Sequence, residues 1–478
     1  MRWDAALGPE HRARLVSAFV DRLDRTGLEQ TYLGVGSPAH DPALMLKIAL
    51  YETLQGHRSP AQWARDVRDS DALRWLAQGI QPSRSALYAF RDRLAGPLLE
   101  MHAQVIRSAV QQGLITIALV VQDGTSVRAR ASRHHLFGRD QLAARVEALQ
   151  AVSAPDPAGA GATPPKWMAP TCRGRQRQLQ RYRRVQHAWA ACWAAHQKRP
   201  KDKQLPLKKV RISLDPEAPL GRDKEKVFGP LYTPQWLVDA GSLLIVAYEV
   251  FAQATDAGTL PGMLDRSCAV SGRMPRRVNT DAAYASLLDL QECQRRGVQL
   301  IAPIQANTFT AQKRAQAPPR QWGKDHFVWL PQEQTYGCPQ GHRLVSRGCE
   351  RRNRRADHSV VYQIYHCPGA HCRVCPVQAQ CVKNPARGRT VKRLQGEELI
   401  EAHQAFMQTA EAKALSRLRG SVIERCFGDA KEHRQLRRLH GYGLQRARAE
   451  VGLVVLAQTA LALERLRKHA ANPGENTS

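Results

Sequence analysis

Along the first 112 residues, apolar positions recur with helical spacing. In PALMLKIALYETL, residues Leu44, Leu46, Ile48, Leu50 and Leu54 leave almost no polar face, which predicts a helix buried nearly all round. SPAQWARDV opens with Ser59 as N-cap and Pro60 at the first helical position. PSRSALYAFRDRL brings a second serine cap, an apolar stripe of Leu87, Phe90 and Leu94, and Arg84, Arg91 and Arg93 on the exposed side. Short helices joined by tight turns, the last one studded with arginine, suit a helix-turn-helix-like DNA-binding unit; a generic helical bundle has the same periodicity.

The pattern changes at 115. ITIALVV is a continuous β-branched run, as expected of a strand buried on both faces, and it leads into QDGTSVRARAS, so Asp123 falls at a strand end. LYTPQWLVDA and SLLIVAYEVFA predict an antiparallel pair turning at Ala240-Gly241. RRVNTDAAYASLLDLQECQRRG predicts a short strand and then a helix from about Ala283, and VQLIAPI another buried strand. Helices resume from about 395 to 468. Strands, helix, strand and a helical end make an α/β domain with long insertions.

Composition narrows the partners. The 478 residues carry 71 Lys and Arg against 42 Asp and Glu, a formal net charge of +29, so a polyanion is the natural partner, and nucleic acid comes first. No apolar run approaches a membrane span, and MRWDAALGPEHR lacks the apolar core of a secretory signal. A cytoplasmic, reducing compartment follows, with the eleven cysteines as thiols or metal ligands. Residues 171–210 hold twelve Lys and Arg against one Asp, with Tyr182, Trp189 and Trp193 among them: a helix pair that grips nucleic acid, or a solvated charged linker. Residues 151–165, rich in Ala, Pro and Gly, read as a mobile loop. RLHGYGLQRARAE, with Tyr442 among Arg437, Arg438, Arg446 and Arg448, reads as a phosphate-contacting turn or a purely structural one.

Three carboxylates are placed for chemistry. Asp123 and Asp281 end strands, and Glu424 in VIERCFGDAKEHR is read as facing inward on a late helix among Arg417, Arg419, Arg425 and Arg434. Phosphodiester cleavage passes through a crowded, negatively charged phosphorus centre, which two Mg²⁺ ions about 3.5–4 Å apart stabilise. Mg²⁺ takes hard oxygen ligands and keeps several waters, so two or three carboxylates suffice. Asp215, Asp239 and Asp256 are rival second acids, and each acid has a bland reading as a cap, turn or ion-pair residue. No Gly-x-Ser-x-Gly, His-Glu-x-x-His or Gly-x-x-x-x-Gly-Lys motif occurs, which sets aside the corresponding hydrolases and nucleotide-binding enzymes.

Taken in order, VQDGTSVRARAS, VNTDAAYAS and VIERCFGDAKEHR resemble the three acid segments of DDE transposases of bacterial insertion sequences. HDPALMLKIALYETLQGHRSPAQWARDVRDSDALRWL with SALYAFRDRL resembles the N-terminal helical domain of one branch of that family. The resemblance implies an RNase H-like α/β catalytic domain with long insertions, preceded by an all-helical DNA-binding domain. It implies Asp123, Asp281 and Glu424 as the Mg²⁺-binding triad, with Mn²⁺ as a substitute ion. It also implies that Lys431 contacts DNA near the reacting end. Arg417, Arg425, Arg434, Arg84, Arg91 and Arg93 complete the expected DNA contacts. Two departures stand out: DAAY where a glycine often precedes the tyrosine, and Gly420 where many members carry an arginine four residues before the glutamate. Arg419, five before, is turned from the Glu424 face by helical geometry, whereas Arg417, seven before, shares it and is the substitute expected here.

CPQGHRL and YHCPGAHCRVCPVQAQC hold Cys338, Cys367, Cys372, Cys375 and Cys381. Cys372-x-x-Cys375 is zinc-knuckle spacing, and Cys338 with Cys381 or Cys367 completes a tetrahedral set; His342, His366 and His371 are alternates. A structural Zn²⁺ would supply folding free energy to a polar segment with no evident core.

The expected organisation is a helical DNA-binding domain over 1–112; a catalytic domain over 113–305 and 394–468, with a basic helical or disordered insertion at 133–210; a cysteine-rich insertion at 306–393; and a tail at 469–478. The expected function is transposition: recognition of terminal inverted repeats, cleavage at the element ends, and attack of the freed 3′-OH on target DNA. Double-stranded DNA and a second copy of the chain are the expected partners, at the nucleoid and away from membranes. A metal-dependent nuclease without strand transfer and a non-catalytic DNA-binding regulator are the alternatives.

Overall fold

A computed structural model describes residues 2–32, 39–153, 165–199, 201, 204–304, 322–355 and 358–471. The chain divides into two compact units, Met1–Thr280 with Arg417–Ser478, and Asp281–Ser416. Most of the expected loop at 151–165 and of the tail, and residues 306–321 of the cysteine-rich insertion, lie outside the described residues.

Among the described residues, the first unit opens with eight helices: α1 (Arg2–Ala5), α2 (Arg12–Asp21), α3 (Thr26–Glu29), α4 (Pro42–Leu54), α5 (Pro60–Asp69), α6 (Asp71–Leu76), α7 (Arg84–Arg93) and α8 (Ala95–Gln111). Helix α4 is buried at every position from Ala43 to Leu54, as its unbroken apolar pattern requires. Asp41 caps it, accepting a hydrogen bond from Ala43 N at 2.7 Å. Ser83 caps α7 in the same way, from Ala86 N at 3.1 Å. Ser59 stands at the N-cap of α5 without a side-chain hydrogen bond. These helices do not stand apart from the rest of the unit. The long C-terminal helix Leu444–Ala471 packs against α4, α7 and α8. Its Gly452 lets Tyr248 and Leu98 close in: a Cβ there would meet Tyr248 Oη at 2.8 Å and Leu98 Cδ1 at 3.1 Å.

The sheet of this unit is built from β1 (Leu119–Gly124), β2 (Val127–Arg128), β5 (Leu220–Arg222), β6 (Phe228–Asp239), β7 (Ile245–Phe251) and β8 (Arg277–Asn279). Strand β6 runs antiparallel to β1 along one edge and to β7 along the other, so the order is β7-β6-β1-β8. Strand β8 is parallel to β1, with Val121 opposite Asn279. One face of the sheet meets the C-terminal helix and the helix Ala410–Gly428 in a core of Val121, Trp236, Tyr248, Ile423, Phe427 and Val454. Helix α11 (Leu260–Ser271) packs on β7 and α8.

The basic insertion is ordered over its described part. Helices α9 (Arg139–Ser153) and α10 (Cys172–Gln197) pair, and the short ladder β3 (Leu136–Phe137) with β4 (Ile212–Ser213) ties its ends. It has its own core, in which Tyr182, Val185 and Trp189 of α10 face Leu142, Val146 and Leu149 of α9. The exposed side of α10 carries Arg173, Arg177, Arg183 and Arg184.

In the second unit, α12 (Leu287–Arg295) is held by a reciprocal Ser286–Asp289 capping box and packs on β9 (Gln299–Ile301) and the helix Glu397–Gln408. It starts later than expected, because a single 3₁₀ turn, Ala282–Tyr284, comes first. The cysteine-rich insertion differs from its expectation more deeply. It is a five-stranded antiparallel sheet, β10 (Val328–Leu330), β11 (Thr335–Gly337), β12 (Arg343–Arg355), β13 (His358–Cys367) and β14 (Arg389–Leu394), in that order. Phe327, Tyr336, Leu344, Tyr365, Val391 and three cysteines form its core. Its core residues come singly among polar and charged neighbours, so the two-residue period is weak in the sequence. Arginine stems help to cover those rings: Arg393 lies 4.1 Å over Trp329. Among the described residues, no helix is long and apolar enough to cross a membrane.

Candidate active site

Asp123 is the penultimate residue of β1 and is buried. Its Oδ1 accepts from Gly124 N at 2.7 Å, and its Oδ2 lies 3.0 Å from Arg419 Nη1. Beside it runs a polar network. Gln122 Nε2 donates to Gln235 Oε1 and Thr259 Oγ1, each at 3.3 Å, and Gln235 Nε2 donates to Asp256 Oδ1 at 2.5 Å. Gly124 leaves room for this arrangement, since a Cβ there would overlap both Asp256 Oδ1 and Gln235 Nε2. Asp256, one of the rival second acids, therefore lies against the backbone next to Asp123.

Arg419 comes from the helix Ala410–Gly428, which also carries Glu424. The helix is seated by Val422, Ile423, Cys426 and Phe427, with the Phe427 ring centroid 4.5 Å from that of Trp236. Glu424 is exposed rather than turned into the core, because the buried positions leave it on the neighbouring face. Along the helix axis, Arg419 and Glu424 are separated by about 7.5 Å. The cation at Asp123 is thus Arg419, which helical geometry had set aside, while Arg417 is exposed. A long side chain turned from Glu424 still reaches a neighbouring strand, and a helical wheel drawn around Glu424 alone carries no signal of that strand.

Asp281 follows Asn279, the last residue of β8, by two positions. Its Oδ1 accepts from Ala283 N at 2.8 Å, which starts the 3₁₀ turn of the second unit. Asp123 likewise lies two positions beyond Val121, the register partner of Asn279.

The basic residues separate into two kinds. Arg84, Arg93, Arg417 and Arg425 are exposed. Lys431 lies in the π-type turn Asp429–His433, where burial first, and then Lys224 and Arg437, hold its pKa below the ordinary lysine value. Arg91, expected on the exposed side, is buried, with Nη2 2.6 Å from Asp92 and Nη1 3.8 Å from Glu450. Arg434 is buried as well: it pairs with Asp429 at 3.1 Å and donates to Leu54 O. Both hold the fold together. Their α-helical or loop positions near exposed arginines gave no sign of that. Two guanidinium groups lie against the Tyr442 ring, Arg181 at 4.7 Å and Arg130 at 5.5 Å from its centroid.

In the second unit Cys367, Cys372 and Cys381 are buried, and Cys338 and Cys375 half-buried. Burial, and then the thiols of Cys372, Cys338 and Cys381, push the Cys367 thiol up to about 12. Cys381 is raised by burial and by Cys338, Cys372 and Cys375, against the opposing charge of Arg389. The predicted cysteines are therefore close enough to one another to resist ionising together. Of the alternates, His342 and His371 stack at 4.4 Å, and His366 Nε2 lies 2.7 Å from Arg387 O.

Two families match the chain: "Transposase domain (DUF772)" over residues 1–93 and "Transposase DDE domain" over residues 337–466, a span that includes Glu424 and the five cysteines. No curated protein matches it. The chain belongs to the DDE transposases of insertion-sequence type.

Proposed function

We propose that this protein binds the terminal inverted repeats of its own element, hydrolyses one DNA strand at each end, and joins the freed 3′-OH to target DNA. The observation that carries the proposal is the pairing of Asp123 with Arg419, from the Glu424 helix, on a sheet of order β7-β6-β1-β8 whose β1 and β8 are parallel. That order, with acids two residues beyond the matched pair Val121 and Asn279, supports an RNase H-like catalytic domain.

Asp123, Asp281 and Glu424 are the proposed holders of divalent ions. The donor set fits, since carboxylate oxygens are the hard ligands that Mg²⁺ and Mn²⁺ take. When bound, two such ions activate the attacking oxygen and stabilise the leaving one. Arg419 balances the charge of Asp123 and orients its carboxylate. Lys431 holds a phosphate near the reacting end, and Arg417 and Arg425 extend the contact along the backbone. Arg84 and Arg93 serve the same purpose for the N-terminal helices. Two element ends must be joined, so a homodimer on DNA is the proposed working form. The clustered cysteines, with Cys372 and Cys375 at knuckle spacing, are the proposed seat of a structural Zn²⁺.

Incubation with DNA carrying the element's ends and Mg²⁺, followed by mapping of the breaks, tests this reading. Pre-cleaved ends that yield no joined product would reduce the protein to a nuclease. Metal-independent binding with no cleavage under any condition would make it a regulator.

A further inference from the structure

The corner between α4 and α5 gathers three side chains unconnected with the acids above. Glu52 comes from the last turns of α4, His57 from the connecting turn and Asp66 from α5. His57 Nδ1 lies 3.2 Å from Glu52 Oε2 and 3.0 Å from Asp66 Oδ2. One ligand atom from each residue falls within 4.8 Å of the other two. The turn is fixed from outside the cluster: His57 N donates to Glu52 O at 2.8 Å, Trp63 Nε1 donates to His57 O at 2.7 Å, and Gly56 takes φ 81°.

The cluster is short of positive charge. The Glu52 side chain is 2% exposed, and among the described residues neither it nor Asp66 is paired with a lysine or arginine. One imidazole nitrogen faces two carboxylates and carries at most one proton. Asp66 Oδ2 is buried and receives no hydrogen bond of good geometry. Two carboxylates around one nitrogen must therefore take up either an extra proton or a cation. In keeping with that deficit, burial first and then Asp66 push Glu52 up to about 9.

We propose that Glu52, His57 and Asp66 form a divalent-cation site that takes Zn²⁺, or Mn²⁺ in its place, at the α4–α5 corner. One imidazole and two carboxylates suit the borderline Zn²⁺ better than Mg²⁺. Ligand bonds of about 2.0–2.1 Å in a tetrahedron put donor atoms about 3.3 Å apart, close to the two separations seen. The His57 side chain is 40% exposed, which leaves one side open for a water ligand.

The site would brace a docking point. Arg58, the next residue, is buried and donates to Gln435 O at 3.1 Å, to Arg438 O at 3.0 Å and to Glu450 at 2.7 Å. A cation on His57 fixes the turn that aims Arg58 at the segment following Glu424.

The test uses the full chain, stripped by chelator and then dialysed against excess Zn²⁺, with zinc per chain measured by mass spectrometry. Glu52→Gln and His57→Asn should each bind one zinc fewer than the wild type. Equal zinc in the wild type and both variants would overturn the proposal and leave a shared proton in its place. If either variant fails to fold, wild-type crystals soaked in Zn²⁺ decide: an anomalous peak among the three side chains supports the site, and no peak at saturating zinc overturns it.

Discussion

Arg419 Nη1 stands 3.0 Å from Asp123 Oδ2, joining the helix that carries Glu424 to the end of the central strand. Nearly 300 residues separate the partners in the chain, and neither is fully solvated. Arg419 thereby balances the charge of that carboxylate. Arg419→Ala should lower end cleavage by about a hundredfold while gel shifts with end DNA stay near the wild type. Arg419→Lys should recover part of the loss, since it restores the charge without the planar fork. Full activity in Arg419→Ala would remove this residue from the site.

Gly124 is held to hydrogen as its side chain by Asp256 and Gln235. Gly124→Ala must displace one of them or shift the end of β1. A displacement of about 1 Å at an active site costs about a hundredfold in rate. Cleavage should fall by that order with little change in thermal stability, and unchanged cleavage would show that the network can yield freely.

Glu450 ties the N-terminal helices to the C-terminal helix. It is buried with Arg58 at 2.7 Å, and it accepts from His440 N at 2.9 Å and from Gly441 N at 2.7 Å. Arg58→Ala leaves that charge without its closest cation and should destabilise the protein by about 3–5 kcal/mol in chemical denaturation.

The same carboxylate makes stability depend on pH. Burial pushes the Glu450 pKa upward, but the His440 contact and the charges of Arg58 and Arg91 outweigh it, so the net shift is downward. A carboxyl group depressed in the folded state contributes stability that is present above its unfolded pKa, about 4.3, and is lost as pH falls through the folded value. Wild-type melting temperature should therefore fall with acid below about pH 4.3, and the Glu450→Gln variant, less stable at neutrality, should show a shallower fall. Parallel curves would contradict the assignment.

Cys372→Ser should release zinc and loosen the second unit, because Cys372 lies in its core with Cys367 and Cys381. Zinc analysis together with near-ultraviolet circular dichroism tests this. Unchanged zinc and an unchanged aromatic signal would leave the cysteines as simple core residues.

Much of the fold is legible in the residues. The α4 pattern is apolar all round and the helix is buried all round. ITIALVV leads into a central strand, and the β6–β7 pair turns where Ala240-Gly241 predicts. The chain's own interactions were harder to read. Glu424 reads in sequence as facing inward, yet the buried positions of its helix are Val422, Ile423, Cys426 and Phe427. Arg91 and Arg434 look like surface cations in sequence, but tertiary contacts with Asp92, Glu450 and Asp429 bury them. The second unit's sheet is not legible because its core residues come singly, among polar and charged neighbours. Long-range ion pairs such as Arg419–Asp123 and Arg58–Glu450 leave no local periodic signal at all.

The central claim is that Asp123, Asp281 and Glu424 act together on a phosphodiester. The most direct measurement is strand cleavage of DNA bearing the element's ends, in Mg²⁺, by the wild type and by Asp123→Ala, Asp281→Ala and Glu424→Ala, with DNA binding followed in parallel. Cleavage by the wild type alone, with binding preserved in all four proteins, is the predicted result; wild-type cleavage by any one of the three variants would contradict it.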